Sequence, residues 1–263
     1  MINPKVLKME LKRSFKNLLG WTLSIGIFMY LILILYPLVK DIYAATSGEI
    51  AEILKSFGGI PENEVEYFAM EGGMLLQLFG AVFAAMTGFS IISREEREQT
   101  TDLICSLPVS RTSFFFTKLL AASIQVIVFS ALITIFCTLG FLSIKTELNL
   151  SRFFFYMLIF LILLLMVQGL GFALACFIKH SSKSLIALLI PLPLYILTFI
   201  SSFSKDNLLK KLKYLSPFTF SEPVSFLKTG DSFEYISFTV FSIITIVFII
   251  LALILYRKRE FTN

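Results

Sequence analysis

Six long apolar blocks decide what this chain can fold into, because they decide its solvent. They run approximately over Leu18–Val39, Met74–Ile92, Leu119–Ile144, Phe153–Ile178, Ser184–Phe203 and Tyr235–Tyr256. A hydrocarbon layer about 30 Å thick is crossed by about 20 residues of helix, and lipid offers an open backbone no partner, so each block is read as a membrane-spanning helix. In the fifth, Pro191 and Pro193 each remove a helical hydrogen bond, which predicts a kink or a split. The fold class is therefore an all-α polytopic membrane protein, expected to form a single transmembrane domain over residues 1–263. Composition agrees: 57% of the residues are hydrophobic and only 16% charged, with mean hydropathy +0.84, whereas soluble domains are about a quarter charged. An ordinary soluble enzyme and a disordered chain are both excluded. The first block is too long for a secretory signal and is expected to stay attached.

An even number of spans places both termini on one side. The segments on that side carry 14 of the 23 Lys and Arg residues and those opposite carry 9, which favours termini in the cytoplasm and a multi-pass protein of the cell membrane. The net charge of +5 sits at the ends of apolar blocks, with no dense basic stripe, so nucleic acid is not an expected partner. Of three cysteines, Cys137 and Cys176 lie inside spans, and no disulfide framework is indicated.

The connections carry most of the information. The leader, residues 1–17, places Leu7, Leu11 and Phe15 on one helical face that continues to Leu18, with Lys8, Lys12, Arg13 and Lys16 on others, which predicts an interfacial amphipathic helix, although a frayed basic leader fits the same pattern. The first connection is acidic; its Glu62, Glu64 and Glu66 lack the spacing of a calcium loop and read as solvation. The second, within residues 93–117, starts with Arg94, Glu95, Glu96, Arg97 and Glu98, continues with Leu103, Ile104 and Leu107 at helical spacing, and meets Pro108. That predicts a short cytoplasmic helix whose small apolar patch suits a docking protein better than bare solvent. The fifth, over residues 204–234, interleaves Leu208, Leu209, Leu212 and Leu215 with lysines, and after Pro217 is too apolar for a free loop.

The run Glu95–Arg111, with Glu98, Thr101, Asp102, Leu103 and Ile104 followed by Ser106-Leu107-Pro108-Val109-Ser110-Arg111, resembles the coupling loop between spans two and three of type-2 ATP-binding-cassette exporter permeases. The basic amphipathic leader, the turn Tyr214-Leu215-Ser216-Pro217-Phe218 and the closing Tyr256-Arg257-Lys258-Arg259-Glu260-Phe261 add to the resemblance, which spans essentially the whole chain. It implies a dimer of identical or paired permeases with two copies of a separate ATPase beneath; ATP and magnesium belong to that partner, and this chain binds no cofactor. It also implies that Glu95, Glu98, Thr101, Asp102, Leu103, Leu107, Pro108 and Arg111 form the surface coupled to the ATPase, and that residues 204–234 form short outer helices closing the exit.

Within the spans, Gly80, Ala84 and Gly88 recur every fourth residue and make one smooth face, for packing within the chain or against a second permease. Gln125 and Gln168 are the strongly polar span residues, expected to glue helices or line a path. No Asp, Glu, Lys or Arg falls in the central part of any span, which disfavours ion-coupled transport. Twenty-nine phenylalanines suit an amphipathic peptide or a hydrophobic drug-like or lipid-like cargo.

The chain lacks a phosphate-cradling Gly-x-x-x-x-Gly-Lys-Ser/Thr loop and is not expected to be an enzyme by itself. Its single histidine, His180, sits in a short connection with no nucleophile motif and reads as a solvated group. The metal-binding prospect is none. Alternatives are a membrane scaffold that recruits a cytoplasmic partner without transport and, further off, an intramembrane lipid-modifying enzyme.

Overall fold

The computed structural model describes residues 2–45, 60–98, 110–146, 148–178, 184–203, 211–229 and 233–258. Among these residues it is all-helical, without strands, and six helical stretches are long and apolar enough to cross a membrane. We label them α1 (Pro4–Ala45), α2 (Glu64–Arg97), α3 (Arg111–Ser143), α4 (Leu150–Phe177), α5 (Pro191–Phe203) and α6 (Tyr235–Lys258). Both described chain ends lie at one end of the bundle, hereafter the base: the Asn3 backbone N–H donates to Thr117 Oγ1 at 3.0 Å, and Arg111 Nη1 donates to the Arg257 carbonyl at 3.2 Å.

Several expected boundaries move, each for a local reason. The leader is not a separate interfacial helix, because α1 runs unbroken for 42 residues, about 63 Å at 1.5 Å per residue and twice the hydrocarbon thickness. Asn3 caps it, its Oδ1 accepting from the Val6 N–H, and Pro4 takes the first position, where no donor is needed. The face α1 buries is Val6, Glu10, Ser14 and Leu18, continuing into Thr22, Ile25, Met29, Leu33 and Tyr36; the Leu7, Leu11 and Phe15 edge stays partly or fully exposed.

α2 starts ten residues before the predicted Met74, at Glu64, and passes through a wider π turn at Phe68–Gly73. Asn63 caps it by accepting from the Glu66 N–H, while the Glu66 carboxylate accepts from the Glu62 N–H, so these acidic residues open a helix. At its other end α2 continues through Arg94–Arg97, so the charged start assigned to a separate loop helix belongs to span two. Residues 99–109, with Thr101, Asp102, Leu103, Leu107 and Pro108, lie outside the described residues, as does His180. Ser110 then caps α3 by accepting from the Ser113 N–H.

The fifth span divides at the predicted place. A 3-10 segment, Ser184–Leu189, precedes α5, which begins at Pro191, with Pro191 and Pro193 both in the first turn, where missing N–H groups cost least.

The core is built on α2 and α4. Gly88 of α2 lies against the backbone of Gln168 and Phe172 on α4, Gly171 of α4 lies against the Ala85 carbonyl, and a Cβ at Gly80 would stand 2.7 Å from the Phe160 ring. Ala81, Ala84 and Ala85 are fully buried alongside. Small residues at a spacing of four let the two backbones touch, which in lipid replaces the missing hydrophobic drive between helices. α1 packs along α3, with Gly26 under Phe136 and Gly140 under Leu33, and Phe83 of α2 stacks on Phe129 of α3 at 4.3 Å. α6 covers α4, Thr245 and Ile249 lying over Gly169.

Candidate functional site

Four charged side chains from three helices meet inside the base of the bundle. Lys118, near the start of α3, is fully buried and pairs with Glu95 of α2, which is itself nearly buried. The same ammonium donates to the Ile91 carbonyl one turn earlier on α2 and stands 3.6 Å from Glu10 of α1. Glu10, fully buried, also faces Arg94 at 3.8 Å, and Arg94 Nη2 donates to Ser14 Oγ of α1 at 3.2 Å. Two carboxylates and two cations give a neutral cluster, which is what keeps charge tolerable away from water. The Phe114 ring lies 4.9 Å from the Lys118 ammonium and adds a cation–π contact.

Around this core, the helix ends that flank residues 99–109 are tied to every other helix at the base. On the incoming side, Glu98, the residue closing α2, pairs with Arg13 of α1, and Arg97 Nη1 donates to Ser184 Oγ at the start of the fifth span, at 2.9 Å. On the outgoing side, Thr117 meets Asn3 and Arg111 meets Arg257 of α6. Beneath them Phe115 of α3 packs edge-on against Phe172 of α4 at 5.0 Å and against Tyr256 of α6 at 5.6 Å. The two helix ends that flank this stretch are therefore in direct contact with α1, α4, the fifth span and α6.

Of the residues singled out from sequence, Glu95, Glu98 and Arg111 come together in this assembly, with Glu95 turned inward into the ionic cluster and unavailable to a docking protein. The Gly80, Ala84 and Gly88 face is occupied by α4 of the same chain. Gln125 is buried and donates to the Ala121 carbonyl of its own helix at 3.2 Å, whereas Gln168 joins two helices, accepting from Ser123 of α3 at 3.1 Å. Glu10 and Lys118 were missed as site residues. The signals were present: Glu10 is the only acid before Asp41, and Lys118 is the only charge between Arg111 and Lys145.

A second polar assembly sits at the opposite end. Within the connection between α5 and α6, described residues 211–229 form three short helical segments, Leu212–Leu215, Thr219–Ser221 and Ser225–Thr229. Ser216 is its anchor: its Oγ donates to the Leu194 carbonyl of α5 at 2.8 Å and accepts from Thr198, while its carbonyl accepts from Ser237 of α6 at 2.9 Å. Gln77 of α2 donates through Nε2 to both the carbonyl and the hydroxyl of Ser221. Phe220, Phe233 and Phe238 pack as a ring cluster over these bonds, and Phe218 stands edge-on to Tyr195 at 5.3 Å. This folded connection links α2, α5 and α6 at the end away from the ionic cluster.

Residues 5–261 match the model of a family described as ABC-2 family transporter protein. No curated protein matches the chain.

Proposed function

The chain belongs to the ABC-2 transporter family, and from that premise we propose that it is the permease half of an exporter driven by a separate ATPase through the base assembly just described. Membership makes it a multi-pass membrane subunit that associates with an ATP-binding-cassette ATPase. The finer reading adds orientation, partners and cargo. The base faces the cytoplasm of the cell membrane; two ATPase copies dock beneath a pair of permeases; and the cargo is an amphipathic peptide or a hydrophobic drug-like or lipid-like molecule moved outward. What supports the coupling role is that the stems of the α2–α3 connection touch all the other membrane helices, so movement there becomes movement of the bundle. Closure of the ATPases on ATP shifts the population of a two-state permease pair, with Glu98, Thr101, Asp102, Leu103, Leu107, Pro108 and Arg111 as the contact and the buried cluster as its rigid root.

The test is co-purification of the full chain with a co-expressed ATPase, followed by ATPase and transport assays in vesicles. Stable recovery of the ATPase with the wild-type chain, abolished by Leu103→Asp with Leu107→Asp, establishes the docking loop. Glu98→Lys is expected to leave the complex assembled and to lower cargo-stimulated turnover. If no nucleotide-hydrolysing subunit associates with the wild-type chain, the transporter reading fails and a scaffold role takes its place.

A further inference from the structure

The first four turns of α1 segregate their charges in a way that neither packing nor coupling uses. Acid and base are sorted: Glu10 is buried against Lys118 and Arg94, and Arg13 is paired with Glu98, but Lys5, Lys8, Lys12 and Lys16 are all exposed and have no ion pair among the described residues. At 100° per residue these four lysines fall within roughly 80° of arc. Beside them runs a second exposed or half-exposed stripe, Leu7, Leu11 and Phe15, the last 55% exposed. Between the stripes lies an open groove of about 510 Å3 lined by Pro4, Leu7, Lys8, Leu11, Lys12 and Phe15.

We propose that this face of α1 binds anionic phospholipid of the leaflet at the base, a headgroup phosphate held at Lys8 and Lys12 in the groove, with Lys5 and Lys16 extending the cationic stripe to either side, and an acyl chain lying along Leu7, Leu11 and Phe15. Charge complementarity selects the occupant. A face with four unpaired cations and no exposed acid repels a basic partner, and a purely soluble anion leaves the apolar stripe in water. The turns sit at bilayer level as well, because Glu10 is fixed against Lys118, at the very start of the apolar part of α3. An amphipathic face at the boundary, cationic on one side and apolar on the other, matches the surface of an anionic membrane in both respects. Burial of Glu10 thus has two effects: it roots α1 in the bundle, and it removes the one acid that would oppose the lysine stripe.

This inference rests on membrane insertion alone and stands apart from the nature of the cargo. It is tested on the full chain by native mass spectrometry from detergent, titrating phosphatidylglycerol against phosphatidylcholine, and in nanodiscs made from equal parts of the two. The wild-type chain is expected to retain phosphatidylglycerol selectively. Each lysine near an anionic surface is worth about a fivefold change in binding, so Lys5→Gln, Lys8→Gln and Lys12→Gln together lower it on the order of 100-fold. Since those side chains are exposed, unfolding is not expected, and an unchanged melting temperature identifies the loss as one of binding. Leu11→Gln with Phe15→Gln is expected to weaken phosphatidylglycerol binding while the lysines remain. Equal retention of the two lipids by the wild-type chain, undiminished binding in the triple variant, or displacement of the lipid by inorganic phosphate would each overturn the proposal, the last by making the site one for free anions.

Discussion

Lys118 of α3 and Glu10 of α1 face each other at 3.6 Å with neither side chain reaching solvent. They are 108 positions apart in sequence, and the ammonium that joins them is simultaneously held by Glu95 and by the Ile91 carbonyl of α2. The relationship makes the root of α1 part of the same body as the two stems of the α2–α3 connection.

Removing the central cation tests that rooting. Lys118→Met keeps the length of the side chain but leaves Glu95 and Glu10 facing each other without their shared partner, and an uncompensated buried charge costs about 3–5 kcal/mol. The variant is expected to unfold markedly earlier than the wild type in a detergent thermal-unfolding assay. Adding Glu95→Gln should restore most of the loss, because Glu10 then keeps Arg94 and no other acid is left over. A double variant as unstable as the single one would show that Lys118 acts through packing rather than through charge.

The α2–α4 contact offers a different kind of test, since the two glycines that α2 brings to it meet different neighbours. At Gly88 an added Cβ meets the Gln168 carbonyl, which is backbone and cannot step aside; at Gly80 it meets the Phe160 ring and the Leu164 side chain, which can turn. Gly88→Ala is therefore expected to be the more damaging, by about 1–3 kcal/mol from overpacking, and Gly80→Ala the milder. The comparison is read from the yield of monodisperse protein and its melting temperature. Equal effects would mean that the α2–α4 backbones are not in direct contact.

These cases also mark how far the sequence is legible. The six spans could be read because a membrane helix declares itself by uninterrupted apolar length, and the glycine spacing of α2 could be read because it repeats every fourth residue. What Gly80 and Gly88 pack against was not legible, since their partners Phe160, Gln168 and Phe172 are defined only once α4 is placed. Glu10 and Lys118 looked like members of charged ends because burial of a charge is decided by three helices arriving at one point. The continuity of α1 past residue 17 escaped for a related reason: Val6, Glu10 and Ser14 extend its buried stripe, but Glu10 does not look like a core residue until Lys118 is beside it. Of the predicted coupling surface, Glu95 turned out to be an interior residue, and Glu98 and Arg111 bind neighbouring helices.

At the far end, Gln77→Leu removes two hydrogen bonds at once and leaves the Ser221 carbonyl unpaired in a buried setting. An orphaned buried polar group costs about 1–3 kcal/mol, or roughly a tenfold rise in local opening or more. Amide hydrogen exchange across residues 212–221 is expected to quicken by that order while exchange in α3 stays unchanged. Uniform acceleration throughout the chain would instead assign Gln77 to global stability.

The pair Arg13–Glu98 separates coupling from stability. Both side chains are partly exposed, 30% and 41%, so solvent screening limits their contribution to within about 1 kcal/mol. Arg13→Gln should therefore leave the melting temperature nearly unaltered. The pair nevertheless joins the leader to the residue that caps α2, next to the stretch proposed to meet the ATPase, so the same variant is expected to reduce cargo-stimulated ATP turnover severalfold. Glu98→Gln should reproduce the defect, and the charge-swapped variant carrying Arg13→Glu and Glu98→Arg should recover part of it. Such recovery requires the two side chains to work on each other. If the swapped chain is no better than either single variant while all three fold normally, Glu98 acts on the partner subunit and Arg13 is incidental.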